Sequence, residues 1–339
     1  MISVMSAANT QAPGPDASRP GVRHVTIDDS HAGQRLDNFL LTFLKGVPRT
    51  RIYRLVRKGE VRLNKGRCHP DDRLKAGDVV RIPPVRLGTR AAPQLGAAIE
   101  AGRFDWLHDR ILYEDEQLLV LDKPAGLAVH GGSGVSVGLI EALRGLRPNT
   151  PYLELAHRLD RDTSGCLLLA KSRAALLTLH ALLRDGGMDK HYLALVAGPW
   201  QGGVRHVQAA LEKGRLGSGE RHVQVDEEGK ESASDFTPRE KFEQAALVDI
   251  HLHTGRTHQA RVHAAHIGHP IGGDDKYGDR DFNQRLKPLG LDRLFLHAAH
   301  LYFQHPHSGH KMHVEAPLPA ELARVLEKLR ARSDISATA

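Results

Sequence analysis

The segment from His157 to Gly165 combines acidic, basic and hydroxyl side chains directly before an apolar run that begins at Cys166. Polar residues at the start of a buried strand commonly carry chemistry, because the scaffold fixes the loop that holds them. A carboxylate such as Asp160 can serve there as a nucleophile or as a general base. Asp, Thr, Ser and Gly are also the residues of solvated turns. The residue types alone therefore support catalysis and a surface turn equally.

A second carboxylate, Asp162, lies two residues from Asp160, and paired carboxylates are the machinery of glycosidases. Two side chains at this spacing on a loop or strand need not converge on one bond. Nothing in the sequence resembles a sugar-binding platform. We therefore do not expect glycoside hydrolysis.

Histidine is abundant, with 22 residues in the chain, and several crowd one short segment: His251, His253, His258, His263, His266 and His269. Such a density makes a zinc site conceivable. No cysteine and no glutamate-flanked histidine pair accompanies these residues, however. The sequence therefore predicts no metal site.

A strongly basic stretch runs from Lys45 to Arg67, where nine basic residues accompany one acidic residue, Glu60. Three of the basic residues recur at helical spacing on one face: Arg51, Arg54 and Lys58. Solvated faces usually mix charges of both signs, and this face does not. We therefore predict that the stretch contacts nucleic-acid phosphates, through Arg51, Arg54, Arg57, Lys58 and Arg62.

The bulk composition limits the class of protein. A chain of 339 residues with 40% hydrophobic content can form roughly two folded units. Its net charge of +7 favours polyanionic partners. The two cysteines are far apart, which argues against a disulfide framework. Neither a signal-peptide pattern nor an apolar run of membrane-spanning length is present, so we expect a cytoplasmic protein with no membrane partner.

The elements that must position these groups fall into two regions. A disordered tail, 1–23, is expected before a small α/β module, 24–86, in which helical periodicity gives way to two short strands. A linker rich in Ala, Pro and Gly, 87–103, separates this module from a larger domain, 104–332, and a short tail, 333–339. In the larger domain we predict buried strands at 118–121, 166–170 and 192–196, and helices at 173–184, 257–267 and 319–332.

The N-terminal module resembles the ribosomal-protein-S-four type of RNA-binding domain. The matching residues lie at 33–40 (GQRLDNFL), 51–64 (RIYRLVRKGEVRLN) and 76–80 (AGDVV). The match covers essentially the whole module. It implies that the helix pair and the adjoining strand grip structured RNA.

The acidic segment belongs to an ordered series of motifs in the larger domain: LDKPAGLAVH (121–130), HRLDRDTSG (157–165), KHYLA (190–194), TGRTHQARVH (254–263), DDKYG (274–278) and FLHA (295–298). This series resembles the RluA family of pseudouridine synthases. One departure is Ala260, where the family usually has a larger aliphatic residue, but the change removes no reactive group. The resemblance implies an α+β catalytic domain with a mixed, largely antiparallel sheet and flanking helices.

The family's activity is the isomerisation of uridine to pseudouridine in RNA, which gains and loses no atoms and so implies no cofactor. Asp160 falls on the catalytic aspartate, which either attacks the anomeric carbon of the ribose or removes a proton from the neighbouring sugar carbon. Arg261 falls on the arginine that pairs with this aspartate and favours its charged form. Tyr192 falls on the tyrosine that stacks on the target base and whose hydroxyl can assist the final proton loss. Arg158 falls on the arginine that fills the gap left by the flipped-out uridine.

The resemblance is greatest to members that act on ribosomal RNA, which implies several uridines of 23S large-subunit ribosomal RNA as targets. The partner is then that RNA or a large-subunit assembly intermediate, and we expect a monomer. Other uridines of the same RNA, or a tRNA, stay open, because site choice depends on RNA shape. An alternative from another class is a noncatalytic RNA-binding or ribosome-assembly protein.

Overall fold

The computed structural model describes residues 21–28, 31–44, 47, 49–85, 98–131, 137–215 and 221–338. Contacts divide the chain into two compact units, Met1–Gln94 and Leu95–Ala339. Most of the predicted tail 1–23 and of the predicted linker 87–103 lies outside the described residues, as does Lys45. Within the described ranges, no helix is long and apolar enough to cross a membrane.

The first unit packs two helices against a small antiparallel sheet. The helices are α1 (Leu36–Phe43) and α2 (Arg49–Arg57), and the strands are β1 (Arg23–Thr26), β2 (Arg62–Leu63) and β3 (Val79–Ile82), in the order β1-β3-β2. Helix residues spaced four apart are buried in one apolar cluster with the sheet, such as Leu36 with Leu40 and Ile52 with Val56. This burial leaves the opposite face of α2 exposed to solvent.

The second unit is built on a mixed sheet of ten strands in the described residues. Its strands are β4 (Ile111–Glu114), β5 (Leu118–Lys123), β6 (Glu154–Leu155), β7 (Ser164–Ala170), β8 (Met188–Ala197), β9 (Arg205–Gln208), β12 (Ala233–Lys241), β13 (Ala245–Leu252), β14 (Leu296–Gln304) and β15 (Lys311–Glu315). A separate hairpin is formed by β10 (Leu211–Arg215) and β11 (Arg221–Val225). The main path runs β4-β5-β7-β14-β8-β13-β12-β9, and β7 with β14 is its parallel pair. The predicted α+β fold with a largely antiparallel sheet is confirmed.

Helices cover both faces of this sheet. They are α3 (Leu139–Leu146), α4 (Arg173–Asp185), α5 (Gln259–His266), α6 (Arg280–Leu286) and α7 (Ala320–Thr338). The alternation of side chains along β8 separates two cores, because successive residues of a strand point to opposite faces. Tyr192 and Ala194 join the cluster that includes α3 and α5. Leu195 packs instead with α6 and α7.

Two helix boundaries differ from the sequence prediction. The helix expected at 257–267 begins at Gln259, because His258 adopts a left-handed backbone conformation (φ 54°) that an α-helix does not contain. The last helix extends to Thr338, so most of the predicted tail 333–339 is helical. Boundary positions are weakly encoded by periodicity, since the terminal turns have no apolar pattern of their own.

Candidate active site

Asp160 lies in the loop between β6 and β7, at the edge of a cavity of about 60 Å³. Its side chain is 21% exposed, so the carboxylate is partly buried but accessible from solvent. The cavity is lined by the three predicted catalytic residues, Asp160, Tyr192 and Arg261, and also by Arg158. His258, Arg256, Thr163 and Gln259 also line it. Residues far apart in sequence thus share one concave site.

Lys123, at the end of β5, fastens the loop that carries Asp160. Its ammonium is fully buried and donates hydrogen bonds to three backbone carbonyls, those of Pro124 at 2.8 Å, Leu127 at 2.9 Å and Arg161 at 2.9 Å. Burial lowers the pKa of Lys123 to about 7 against the opposing pull of Asp162 and Asp160. Three carbonyl acceptors match the three N–H bonds of an ammonium, so these contacts stabilise the charged form against the effect of burial. Because Arg161 adjoins Asp160, this clamp fixes the position of the carboxylate.

Arg261 is held mainly by a residue that the sequence analysis did not assign, Asp274. Its Nε and Nη2 atoms donate to the two oxygens of Asp274, each at 2.7 Å, whereas Nη1 lies 3.6 Å from Oδ2 of Asp160. The Asp274 side chain is fully buried and also accepts the backbone N–H groups of Lys276 and Tyr277. Burial opposes ionisation, but the Arg261 hydrogen bonds outweigh it and hold the pKa of Asp274 below its ordinary value. The guanidinium is therefore preorganised, with one edge free to face Asp160.

His258 approaches Asp160 from the other side of the arginine. Its Nε2 atom lies 3.8 Å from Asp160 Oδ2, and its Nδ1 atom is 2.8 Å from the hydroxyl of Tyr277. That hydroxyl oxygen already accepts the backbone N–H of Val223 at 3.0 Å, so its own hydrogen is available to Nδ1. This assignment places the imidazole hydrogen on Nε2, toward Asp160. Burial lowers the pKa of His258, so the ring is neutral at pH 7 and turns an N–H group toward Asp160 without adding a charge.

Tyr192 lines the same cavity from β8 and is 8% exposed. Burial, followed by the nearby charge of Asp160, raises the pKa of its hydroxyl. The phenol therefore keeps its proton at neutral pH. A buried, neutral aromatic ring beside a carboxylate is suited to stacking on a planar base.

The site rests on a close approach between β7 and β14. Gly165 follows the acidic loop with φ +107°, and a Cβ atom there would lie 2.2 Å from the carbonyl oxygen of Ala298. No larger residue fits without separating the strands. Glycine at this position lets the two parallel strands meet directly behind the loop that carries Asp160.

The basic residues of the first unit present a coherent surface. Four of the predicted RNA-binding side chains are exposed and one, Arg62, is half-buried: Arg51, Arg54, Arg57, Lys58 and Arg62. None of the five forms an ion pair with another described residue. Unpaired cations on one face are free to neutralise phosphates.

Sequence reasoning missed three residues that hold the catalytic candidates: Lys123, Asp274 and Tyr277. All three lie in motifs that the sequence analysis quoted, LDKPAGLAVH and DDKYG. For Lys123 the residue type gave a signal, since a lysine that follows the apolar run 118–121 must find partners if it is buried. Which partners the three residues find depends on chain segments distant in sequence.

Comparisons with known proteins define the class to which this fold and site belong. The family model described as RNA pseudouridylate synthase matches residues 117–266, and that of the S4 domain matches residues 34–80. The solved structure titled Human RNA Pseudouridylate Synthase Domain Containing 4 superposes with a TM-score of 0.56 at 26% identity, over 70% of this chain and 98% of the human one.

Full-length relatives place the chain within that class. It is 55% identical over 318 residues to the protein named Ribosomal large subunit pseudouridine synthase C of Yersinia pestis, covering 94% of this chain and 99% of the relative. Identity to the protein of the same name from Escherichia coli (strain K12) is also 55%, over 92% of this chain and 98% of the relative. The chain therefore belongs to the pseudouridine synthase family, as its motifs predicted, and it is an RNA-modifying isomerase.

Proposed function

We propose that this enzyme converts several uridines of 23S large-subunit ribosomal RNA to pseudouridine, with Asp160 as the catalytic carboxylate. The observation that carries the catalytic assignment is the cavity where Asp160 lies 3.6 Å from a guanidinium that Asp274 holds in place. The choice of substrate is supported by the relatives, which are named for the large ribosomal subunit.

The reaction breaks the bond between the ribose anomeric carbon and N1 of uracil and forms a bond from the same carbon to C5. Asp160 starts it either by attacking the anomeric carbon or by removing a proton from the neighbouring sugar carbon. The detached uracil turns within the cavity, bonds through C5, and finally loses the hydrogen of C5. While the carboxylate is not bonded to the sugar, the charge of Arg261 and the N–H dipole of His258, which both face its Oδ2 atom, stabilise it.

Tyr192 and Arg158 handle the base and the gap it leaves. The neutral ring of Tyr192 stacks on the uracil, and its hydroxyl assists loss of the C5 hydrogen by relaying a proton rather than by acting as a phenolate. Arg158 is exposed at the cavity and fills the space in the RNA from which the uridine has flipped. A catalytic cavity of about 60 Å³ is small for a free ligand, so the bound RNA supplies part of the wall around the flipped nucleotide.

The nucleotides that flank the target uridine can bind in a groove beside the catalytic cavity. A larger cavity of about 320 Å³ adjoins the catalytic one through Arg256, which lines both. Lys213 and Lys230 also line it and are suited to phosphate contacts, whereas Glu212 and Glu228, which line it too, repel phosphates. The basic face of the first unit, Arg51, Arg54, Arg57, Lys58 and Arg62, binds the RNA phosphates as well.

Release of tritium from ribosomal RNA labelled at C5 of uridine tests the catalytic assignment. Asp160→Asn abolishes tritium release but leaves RNA affinity nearly unchanged, because the shape of the side chain is kept and only its charge is lost. Asp162→Asn is the matched control, since this carboxylate lies two residues away, is 47% exposed and pairs with Arg161. Turnover by Asp160→Asn at the control's rate would exclude Asp160 as the catalytic carboxylate.

Mapping of pseudouridine in a strain that lacks the gene tests the substrate. Several positions of 23S ribosomal RNA lose the modification, and a plasmid encoding the wild-type enzyme restores them whereas Asp160→Asn does not. Loss confined to a tRNA would contradict the ribosomal assignment while keeping the reaction. We also propose that the enzyme acts as a cytoplasmic monomer. Sedimentation of the purified chain tests the monomeric state, and sedimentation of cell fractions tests the location.

A further inference from the structure

The sheet face opposite the catalytic cavity carries a row of histidine and acidic side chains. His191 precedes Tyr192 on β8 and therefore points to the other side of the sheet. Its registered neighbour across β13 is His251, whose own neighbour on β12 is Asp235, and Asp235 in turn pairs with His206 on β9. Directly opposed residues of adjacent strands share a face. Four neighbouring strands thus contribute one continuous polar row.

Three members of this row have the spacing of metal ligands. One ligand atom each from Asp235, His251 and His253 lies within 4.8 Å of the other two. His253 Nε2 is 2.8 Å from Asp235 Oδ2, and the backbone N–H of His253 bonds to the carbonyl of Ala233, which ties the end of β13 to β12. The trio is therefore set by strand register rather than by a mobile loop.

His251 has the orientation expected of a metal-bound histidine. Its Nε2 atom lies 3.1 Å from a carboxylate oxygen of Asp189, and its ring stacks on His191 at 4.6 Å with an interplanar angle of 4°. A carboxylate on one ring nitrogen fixes the tautomer and leaves the other nitrogen with its lone pair, as is usual for metal ligands.

Asp235 supplies the negative charge. One of its carboxylate oxygens lies 2.8 Å from Nε2 of His253, and the other lies 2.7 Å from Nδ1 of His206. In a tetrahedral zinc site with bonds of about 2.0–2.1 Å, the donor atoms lie roughly 3.3 Å apart. An ion between Asp235 and His253 thus requires the two side chains to open by about 0.5 Å. The exposed histidine can provide this movement.

We propose that Asp235, His251 and His253 bind a zinc ion whose fourth position is open to water. Two imidazoles with one carboxylate form a donor set that zinc accepts. The ion joins β12 to the end of β13, at the point where the chain passes into the loop that carries His258. Its role is structural, because uridine isomerisation requires no metal. This site differs from the prediction of no metal, since sequence crowding alone did not show that Asp235 joins two of the histidines.

A second trio on the same face provides an internal comparison: His300, His313 and Glu315. His300 Nδ1 lies 3.2 Å from His313 Nε2 but 4.0 Å from Glu315, whose side chain is 62% exposed. Holding this long, solvated carboxylate costs more side-chain entropy than holding Asp235. The first trio is therefore the tighter site.

Titration of the full-length, tag-free enzyme with zinc chloride tests the proposal, with heat of binding and zinc content per chain as readouts. Wild-type protein binds zinc saturably. His253→Ala and Asp235→Asn each weaken that binding by at least about tenfold. His313→Ala and His310→Ala, an exposed histidine outside both trios, retain it. Stoichiometric zinc raises the melting temperature of wild-type protein and not that of His253→Ala.

Three results would overturn the assignment: no saturable binding by wild-type protein, unchanged affinity in both His253→Ala and Asp235→Asn, or loss of binding in His313→Ala alone. A stoichiometry of two, with one ion lost in His253→Ala, still supports it. Because Asp235, His253 and His313 lie away from the catalytic cavity, tritium release by zinc-free protein verifies separately that the catalytic unit is folded.

Discussion

Replacement of Asp274 by asparagine should damage both stability and catalysis, although Asp274 is not expected to touch the substrate. The wild-type carboxylate receives two hydrogen bonds of 2.7 Å from Arg261 and two backbone N–H groups. Asparagine keeps the shape and one acceptor oxygen. Its NH2 group, however, would face the guanidinium, so one charge-assisted bond is replaced by a contact between two donors.

The burial of the pair sets the magnitude of the effect. The Asp274 side chain is fully buried and that of Arg261 is 11% exposed, so solvent compensates little for the lost charge. Breaking a buried ion pair by removing one partner costs about 3–5 kcal/mol. We expect a loss of that size in the free energy of unfolding. The released guanidinium can close the 3.6 Å gap to Asp160 and hold the carboxylate away from the ribose. A displacement of about 1 Å at a reacting group can reduce kcat by about a hundredfold.

Urea denaturation followed by tryptophan fluorescence measures the first effect in the intact chain. Both tryptophans of the protein, Trp106 and Trp200, lie in the second unit, so the signal reports that unit alone. Single-turnover tritium release measures the second effect. Asp275→Asn is the matched control, because this neighbouring carboxylate is exposed, and it should change stability by no more than about 0.5 kcal/mol.

The two readouts separate the possible failures of this reasoning. Stability within about 1 kcal/mol of wild type would show that the Arg261–Asp274 pair is not the buried anchor described above. If Asp274→Asn lost the expected free energy of unfolding but kept an unchanged kcat, the orientation of Arg261 would not matter for the reaction. A double variant, Arg261→Met with Asp274→Leu, should recover part of the stability but none of the activity, since it leaves no unpaired buried charge.

Three further predictions follow from the same contacts. The pKa of Asp274 lies below its ordinary value of 3.8, so the ionised carboxylate stabilises the fold above pH 3.8 and this stabilisation is lost as the pH falls through the lowered pKa. The difference in urea midpoint between wild type and Asp274→Asn should therefore narrow below about pH 4. Lys123→Met should lower the free energy of unfolding by at least about 1–3 kcal/mol and slow tritium release, because three buried carbonyls lose their donor; unaltered kinetics would mean that the clamp does not position Asp160. Arg54→Ala should weaken binding to a 23S ribosomal RNA fragment and reduce the slope of log affinity against log salt by about 1, with Glu60→Gln as the control; an unchanged slope would exclude a phosphate contact.

Local patterns of composition and periodicity predicted two folded regions, whereas the family resemblance implied the fold class. Apolar periodicity marked the buried strands, and the basic face of α2 followed from three-to-four-residue spacing with apolar residues between. Sheet direction is different, since periodicity alone does not distinguish parallel from antiparallel pairing. The family motifs supplied that information. Helix ends also escaped prediction, as the left-handed conformation of His258 illustrates.

The reactive residue types of the candidate site were likewise readable in the sequence, because Asp160, Tyr192 and Arg261 each occupy a recognisable motif. Only the tertiary structure decided what holds them. Lys123 reaches the carbonyl of Arg161, and Asp274 rather than Asp160 is the main partner of Arg261. The row containing Asp235, His251 and His253 likewise exists only once β12 and β13 are in register. The physical reason is common to all three: a sequence specifies which groups must be satisfied, whereas the pairing of distant strands determines which groups come within hydrogen-bonding distance.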